Sequence, residues 1–158
     1  TVIHNSTVAF SNNAVAWNPA GTMIAVGIQK HNSIGELRLY SFNGSALAFV
    51  SQLNVDQNVE SLSWHPTLPY IAIGLGTTSQ SIRIYEYNQT TYALTNVTTA
   101  QVNESHATYS LRWSPDGNYL AVGRMKTGNT TEFRIYEFDA IAKTLRLLHE
   151  YSVYNHAY

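Results

Sequence analysis

Cysteine is absent from this chain of 158 residues, so neither a disulfide framework nor a thiolate metal site can form. Cysteine usage therefore carries no information about redox compartment. Charge is scarce as well. Asp, Glu, Lys and Arg together make up 12% of the residues, about half the usual share. The net charge is −1, and no cluster of Lys and Arg exists to neutralise phosphates, which speaks against a nucleic-acid partner. Apolar runs are short and broken by polar residues, so no segment reads as membrane-spanning. There is no HExxH, no Gly-x-Ser-x-Gly and no phosphate-binding glycine loop. The histidines, His4, His31, His65, His106, His149 and His156, show no helical or hairpin metal spacing. No catalytic residue, metal ligand or cofactor is expected. The first residue is Thr1, which predicts a processed protein or an excised piece.

What is present is a repeat. Hydrophobic residues at 44% are enough for a folded domain. "VAWNPAGTMIAVGI" at 15–28 returns as "LSWHPTLPYIAIGL" at 62–75 and "LRWSPDGNYLAVGR" at 111–124. Its tryptophans, Trp17, Trp64 and Trp113, lie 47 and 49 residues apart. A second phrase follows each copy: "LRLYSF" at 37–42, "IRIYEY" at 82–87 and "FRIYEF" at 133–138. Apolar residues alternate strictly within it, a period of two that marks a strand. A turn and another alternating run come next: "ALAFVSQLNV", "YALTNVTTAQV" and "TLRLLHEYSV". Each unit reads as four antiparallel strands.

The first turn of each unit has a local cause. Pro19 and Pro115 fix φ, and Gly21 and Gly117 tolerate φ > 0 two residues later. The second copy has Pro66 and Pro69 without that glycine, so its turn should differ. Gly27, Gly74 and Gly123 recur inside a strand, which predicts close backbone approach or a bulge.

Four-stranded units of this length with a Trp-x-Pro hairpin and an Ala-Val-Gly return resemble β-propeller blades of the WD40 type. The resemblance covers nearly the whole chain. It implies an all-β fold of three blades, about 14–55, 60–102 and 108–153. The chain departs from the family at the Trp-Asp pair, where Tyr40-Ser41, Tyr85-Glu86 and Tyr136-Glu137 stand instead. The Gly-His pair is absent too, although His106 falls near its position, so the family's hydrogen-bonded tetrad is expected to be missing. Trp17, Trp64, Trp113, Tyr40, Tyr85 and Tyr136 are expected to pack blade cores. Arg38, Arg83 and Arg134 recur beside Glu86 and Glu137, which predicts ion pairs between blades.

Three blades do not close a ring. The exposed sheet face at each end would be too apolar to stand uncovered. "VIHNSTV" at 2–8 resembles "LLHEYSV" at 147–153, with His4 and His149 in equivalent places, so residues 1–10 read as a spare outer strand. Two copies closing a six-bladed ring, a fibre built by strand exchange, and the remainder of a longer propeller would each supply the missing neighbours.

Asn-x-Ser/Thr occurs at Asn5, Asn43, Asn88, Asn96, Asn103 and Asn129, more often than composition yields at random and mostly in turns. The sequence reading therefore favours an extracellular, glycosylated, non-catalytic structural protein that self-assembles as an oligomer or fibre. A protein-binding segment of a larger cytoplasmic propeller is the alternative. A propeller enzyme of the lactonase kind is a third reading, for which no central polar ligands are found.

Overall fold

The computed structural model describes residues 11–77, 79–103, 106–125 and 132–152. The fold is all-β: three four-stranded antiparallel sheets form three blades of an incomplete propeller. Blade 1 holds β1 (Asn12–Trp17), β2 (Met23–Ile28), β3 (Leu37–Phe42) and β4 (Leu47–Leu53). Blade 2 holds β5 (Val59–Trp64), β6 (Tyr70–Leu75), β7 (Ile82–Tyr87) and β8 (Leu94–Asn96). Blade 3 holds β9 (Thr108–Trp113), β10 (Tyr119–Arg124), β11 (Phe133–Asp139) and β12 (Thr144–Tyr151). Strands run in sequence order across each sheet, and the first strands stand side by side, β1 against β5 and β5 against β9. The spare strand expected at 1–10, and its likeness to 147–153, fall at least in part outside the described residues.

The Trp-x-Pro turns close in two ways. In blades 1 and 3, Gly21 and Gly117 sit at φ 69° and 78°, and their amides donate to the carbonyls of Asn18 and Ser114. In blade 2, which lacks the glycine, Tyr70 N donates instead to Leu68 O at 2.8 Å. The residue after each Trp accepts from the turn's backbone: Asn18 Oδ1 from Thr22 and Met23, His65 Nδ1 from Thr67 and Leu68, Ser114 Oγ from Tyr119. The middle letter of Trp-x-Pro is thus an acceptor in all three copies.

Alternation sends each blade's two sets of side chains to opposite neighbours. Met23, Ala25, Leu37 and Leu39 of blade 1 meet Leu62, Trp64, Ile71, Ile73, Tyr85 and Tyr87 of blade 2. Tyr70, Ala72, Ile82 and Ile84, from the other face of blade 2, meet Leu111, Trp113, Leu120, Val122, Tyr136 and Phe138 of blade 3. Every residue of β6 is buried, because blade 2 is covered on both faces. The outer run of blade 2 departs from its expected length. Only Leu94–Asn96 pairs as strand; a 3-10 turn at Thr98–Ala100 then tucks Val97 and Ala100 into the cluster shared with blade 3. Thr99 Oγ1 donates to Lys143 O at 2.6 Å and fixes this turn to the neighbouring blade. Pairing resumes as a bridge between Ile82 and Val102.

The recurrent strand glycine is explained by the next blade. A Cβ on Gly27 would lie 2.5 Å from Val59 Cγ1, and one on Gly74 would lie 2.7 Å from the Thr108 carbonyl oxygen. At Gly123, with no described blade beyond, the nearest atom is Ser110 Cβ at 3.5 Å. Gly74→Ala should therefore destabilise the fold by about 1–3 kcal/mol through overpacking. Gly123→Ala in this chain should be neutral or mildly stabilising. Urea unfolding of the two variants checks the contrast. In a protein where a further blade packs on β10, the two substitutions should become equally costly.

Candidate functional site

The two outer blade faces carry exposed aromatic residues. On blade 1 the exposed face carries Val15, Trp17, Tyr40, Phe42 and Phe49. Trp17 stands edge-on to Phe42 at 5.4 Å and Tyr40 edge-on to Phe49 at 5.7 Å. Arg38 lies 4.9 Å over the Phe49 ring, a cation–π contact. Trp17 is 49% exposed, whereas its equivalents Trp64 and Trp113 are 8% exposed, because each of those has a preceding blade to pack against. On blade 3 the opposite face shows Tyr109, Tyr119, Phe133 and Tyr151. One end thus presents the aromatic side of a blade junction and the other presents its complement.

The two junctions differ at the rim that carries the Trp-x-Pro turns. Between blades 2 and 3 the rim is filled. The His65 ring lies 4.8 Å from Trp113, Tyr70 lies 5.3 Å from Phe138, and Trp113 and Phe138 meet edge-on at 5.1 Å. Lys143 reaches across to Glu86 at 2.7 Å, its ammonium 6.0 Å from the Tyr70 ring. Both members of this ion pair are about two-fifths exposed, so it contributes little to stability. Between blades 1 and 2 the equivalent positions hold Asn18, Met23, Ser41 and Tyr92. There the rim stays open as a cleft of about 550 Å³. Trp64 and Tyr87, edge-on at 5.3 Å, form its floor. Among the described residues that line it, none is Asp, Glu, Lys or Arg.

His65 is 3% exposed. Its Nδ1 accepts the Thr67 and Leu68 amides, so Nε2 carries the proton and donates to Gly117 O at 3.0 Å. A Cβ on Gly117 would lie 2.3 Å from the His65 ring, so only glycine fits there. Burial holds the imidazole below its ordinary value, against the opposing effect of the Gly117 hydrogen bond. The fold therefore favours neutral His65. Its contribution is complete above about pH 6.5, the unfolded value, and is lost as pH falls below that. The thermal midpoint should drop between pH 7.5 and 5.5 in the native chain. The drop should be smaller in His65→Asn, which keeps an acceptor of the Asn18 kind. Equal pH dependence of the two proteins would exclude His65 as the cause.

Other sequence-selected residues are placed as follows. Tyr85 and Tyr136 are buried in the junctions, and Tyr40 is half-buried on the open face. Burial raises the Tyr85 phenol above its usual value, while nearby Arg83 opposes this. Arg83 Nη1 donates to Val55 O at 3.1 Å, bridging blade 2 to the loop that leaves blade 1. Arg134 pairs with Glu150 at 3.0 Å within blade 3, and Arg146 bonds Glu137 in the same sheet. Glu86 and Arg134 border the same junction, from blade 2 and blade 3, but the contacts described are of Glu86 with Lys143 and of Arg134 with Glu150. Asn43 and Asn88 accept backbone amides inside their turns, and Asn103 Oδ1 accepts from Gln80 N at 2.8 Å. Asn96 is half-buried on β8. Asn5 and Asn129 lie outside the described residues.

Sequence reasoning missed Glu36. Fully buried, its carboxylate accepts amides from His31, Val55 and Asp56 and ties two loops of the opposite rim together. A signal was there, since Glu132 stands at the same place before the third phrase, but Ser81 interrupts the series in the second. Among the described residues no three His, Asp or Glu side chains come together as a metal site.

The sequence model of the family described as "Eukaryotic translation initiation factor eIF2A" matches residues 6–155. Among solved structures, the chain is similar to a candidate 6-phosphogluconolactonase from Bacteroides uniformis, at TM-score 0.70 and 14% identity. That match covers 91% of this chain and 41% of the other. It is similar to the Cps50 (Swd1) β-propeller domain of Myceliophteria thermophila, at TM-score 0.67 and 13% identity, over 91% of this chain and 44% of that one. It is also similar to Sqt1 of Saccharomyces cerevisiae, at TM-score 0.67 and 15% identity, over 89% and 35% respectively. The chain thus spans less than half the length of each of these propellers. At such identities the likeness shows the fold alone. The three sheets are WD40-like propeller blades.

Proposed function

This chain belongs to the eIF2A family, and we propose that it forms consecutive blades of a larger, non-catalytic propeller on which other proteins dock during translation initiation. The observation that carries this reading is the pair of open faces. Trp17, Tyr40 and Phe42 repeat the residues that Trp64, Tyr85, Tyr87 and Trp113, Tyr136, Phe138 use to receive a preceding blade. The simplest cover for such a face is another blade of the same kind. Translation initiation takes place in the cytosol, where sequons are not glycosylated. The asparagines of the sequons at Asn43, Asn88 and Asn103 are accounted for by their turn and loop hydrogen bonds. The extracellular, self-assembling reading then rests on the sequon excess and the uncovered faces, and a longer propeller accounts for the latter.

Two measurements test the proposal. The isolated chain, with both faces bare, should associate in light scattering, whereas a longer protein carrying the adjoining blades should be monomeric. A longer protein that forms oligomers through blade 1 or blade 3 would favour self-assembly instead. Incubation of the longer protein with 6-phosphogluconolactone should give no hydrolysis above the spontaneous rate. Turnover there would establish the enzyme reading.

A further inference from the structure

The cleft between blades 1 and 2 has a counterpart whose contents are known, because the chain fills the same place between blades 2 and 3 with its own side chains. There, two flat uncharged rings, His65 and Tyr70, pack against the Trp113–Phe138 pair, and Lys143 with Glu86 closes the mouth. At the first junction the receiving pair is kept as Trp64 and Tyr87, while the filling residues have shrunk to Asn18 and Met23. Tyr92 stands in the place of Lys143, at φ 60° against 54°, and Ser41 in that of Glu86, so the ion pair across the mouth is gone.

The remaining walls are pre-formed. Three of the chain's four prolines, Pro19, Pro66 and Pro69, line the cleft, so little backbone freedom is lost when it is occupied. Its 550 Å³ lies within the roughly 300–1,000 Å³ typical of ligand sites. The floor is Trp and Tyr, residue types that anchor protein interfaces.

We propose that this cleft binds an uncharged, extended segment of a partner protein by taking up an aromatic side chain, which supplies in trans what His65 and Tyr70 supply in cis one junction further on. The described lining holds no Asp, Glu, Lys or Arg, which disfavours an acidic or basic segment, whose charge would be desolvated without a partner. The inference rests on the protein-docking reading above and names its site and the chemistry of its ligand.

The probe is a fluorescein-labelled, end-capped Gly-Ser-Tyr-Pro-Gln peptide, titrated by anisotropy against the protein, with Tyr→Ala and Tyr→Glu versions beside it. Two variants rebuild the filled junction. One is Asn18→His with Met23→Tyr and Leu68→Gly, the last because His65 fits only opposite Gly117. The other, Ser41→Glu with Tyr92→Lys, changes only the mouth and leaves the core packing alone. The native protein should bind the Tyr peptide saturably, and both peptide substitutions and both variants should weaken binding by about tenfold or more. Thermal midpoints at or above the native one confirm that the variants are folded. Equal affinity of both variants, of the Tyr→Ala peptide, or no binding at all would overturn the proposal. That failure would leave docking elsewhere on the propeller intact, whereas hydrolysis of 6-phosphogluconolactone would remove the docking reading itself.

Discussion

A β-sheet has two faces, and in this chain both faces of every blade are built to be buried. That one constraint organises the rest. The apolar side chains of β6 and β7 alternate between two neighbours, so a blade buries all of them only when sandwiched. Blade 2 meets the condition and is the most buried part of the molecule. Blades 1 and 3 meet it on one side each. The repeated glycine serves the same constraint, since the first strand of the next blade lies too close to β2 or β6 for a side chain.

The polar groups described above are arranged around that packing. Asn18, His65 and Ser114 satisfy the tight turn after each tryptophan, and Glu36 satisfies amides of two loops at the other rim. The Lys143–Glu86 ion pair crosses its junction at the exposed mouth, where ions keep their water, while Arg83 crosses the other junction to a backbone carbonyl, Val55 O. Low charge is compatible with this design because backbone amides do much of the capping that ion pairs do elsewhere. Blade-to-blade variation then resides in a few side chains at the junction rims. Those few decide whether a junction is sealed by its own residues or left open.

Much of this was legible in the residues. The Trp-x-Pro phrase, its spacing and the period-two strands give the blade, its turns and its number. The differing turn of blade 2 followed from a missing glycine. The candidate cleft was not legible. The letters that open it, Asn18 for His65 and Met23 for Tyr70, look like ordinary drift within a repeat. Their meaning depends on which ring of the next blade stands opposite. Ion pairs between blades from Arg38, Arg83 and Arg134 to the repeated glutamates looked natural in the repeat, but Glu86 meets Lys143 and Arg134 meets Glu150. The outer run of blade 2 read as a full strand, yet Val97 and Ala100 gain more from burial against blade 3 than from continued pairing.

By itself the sequence determined the local period, the turns and the count of blades, because these depend on neighbours a few residues away. Only the tertiary structure decided which side of each strand meets which blade, why Gly74 is crowded and Gly123 is not, and where a junction remains unfilled. Those outcomes depend on contacts between residues about fifty positions apart, whose geometry no linear pattern encodes.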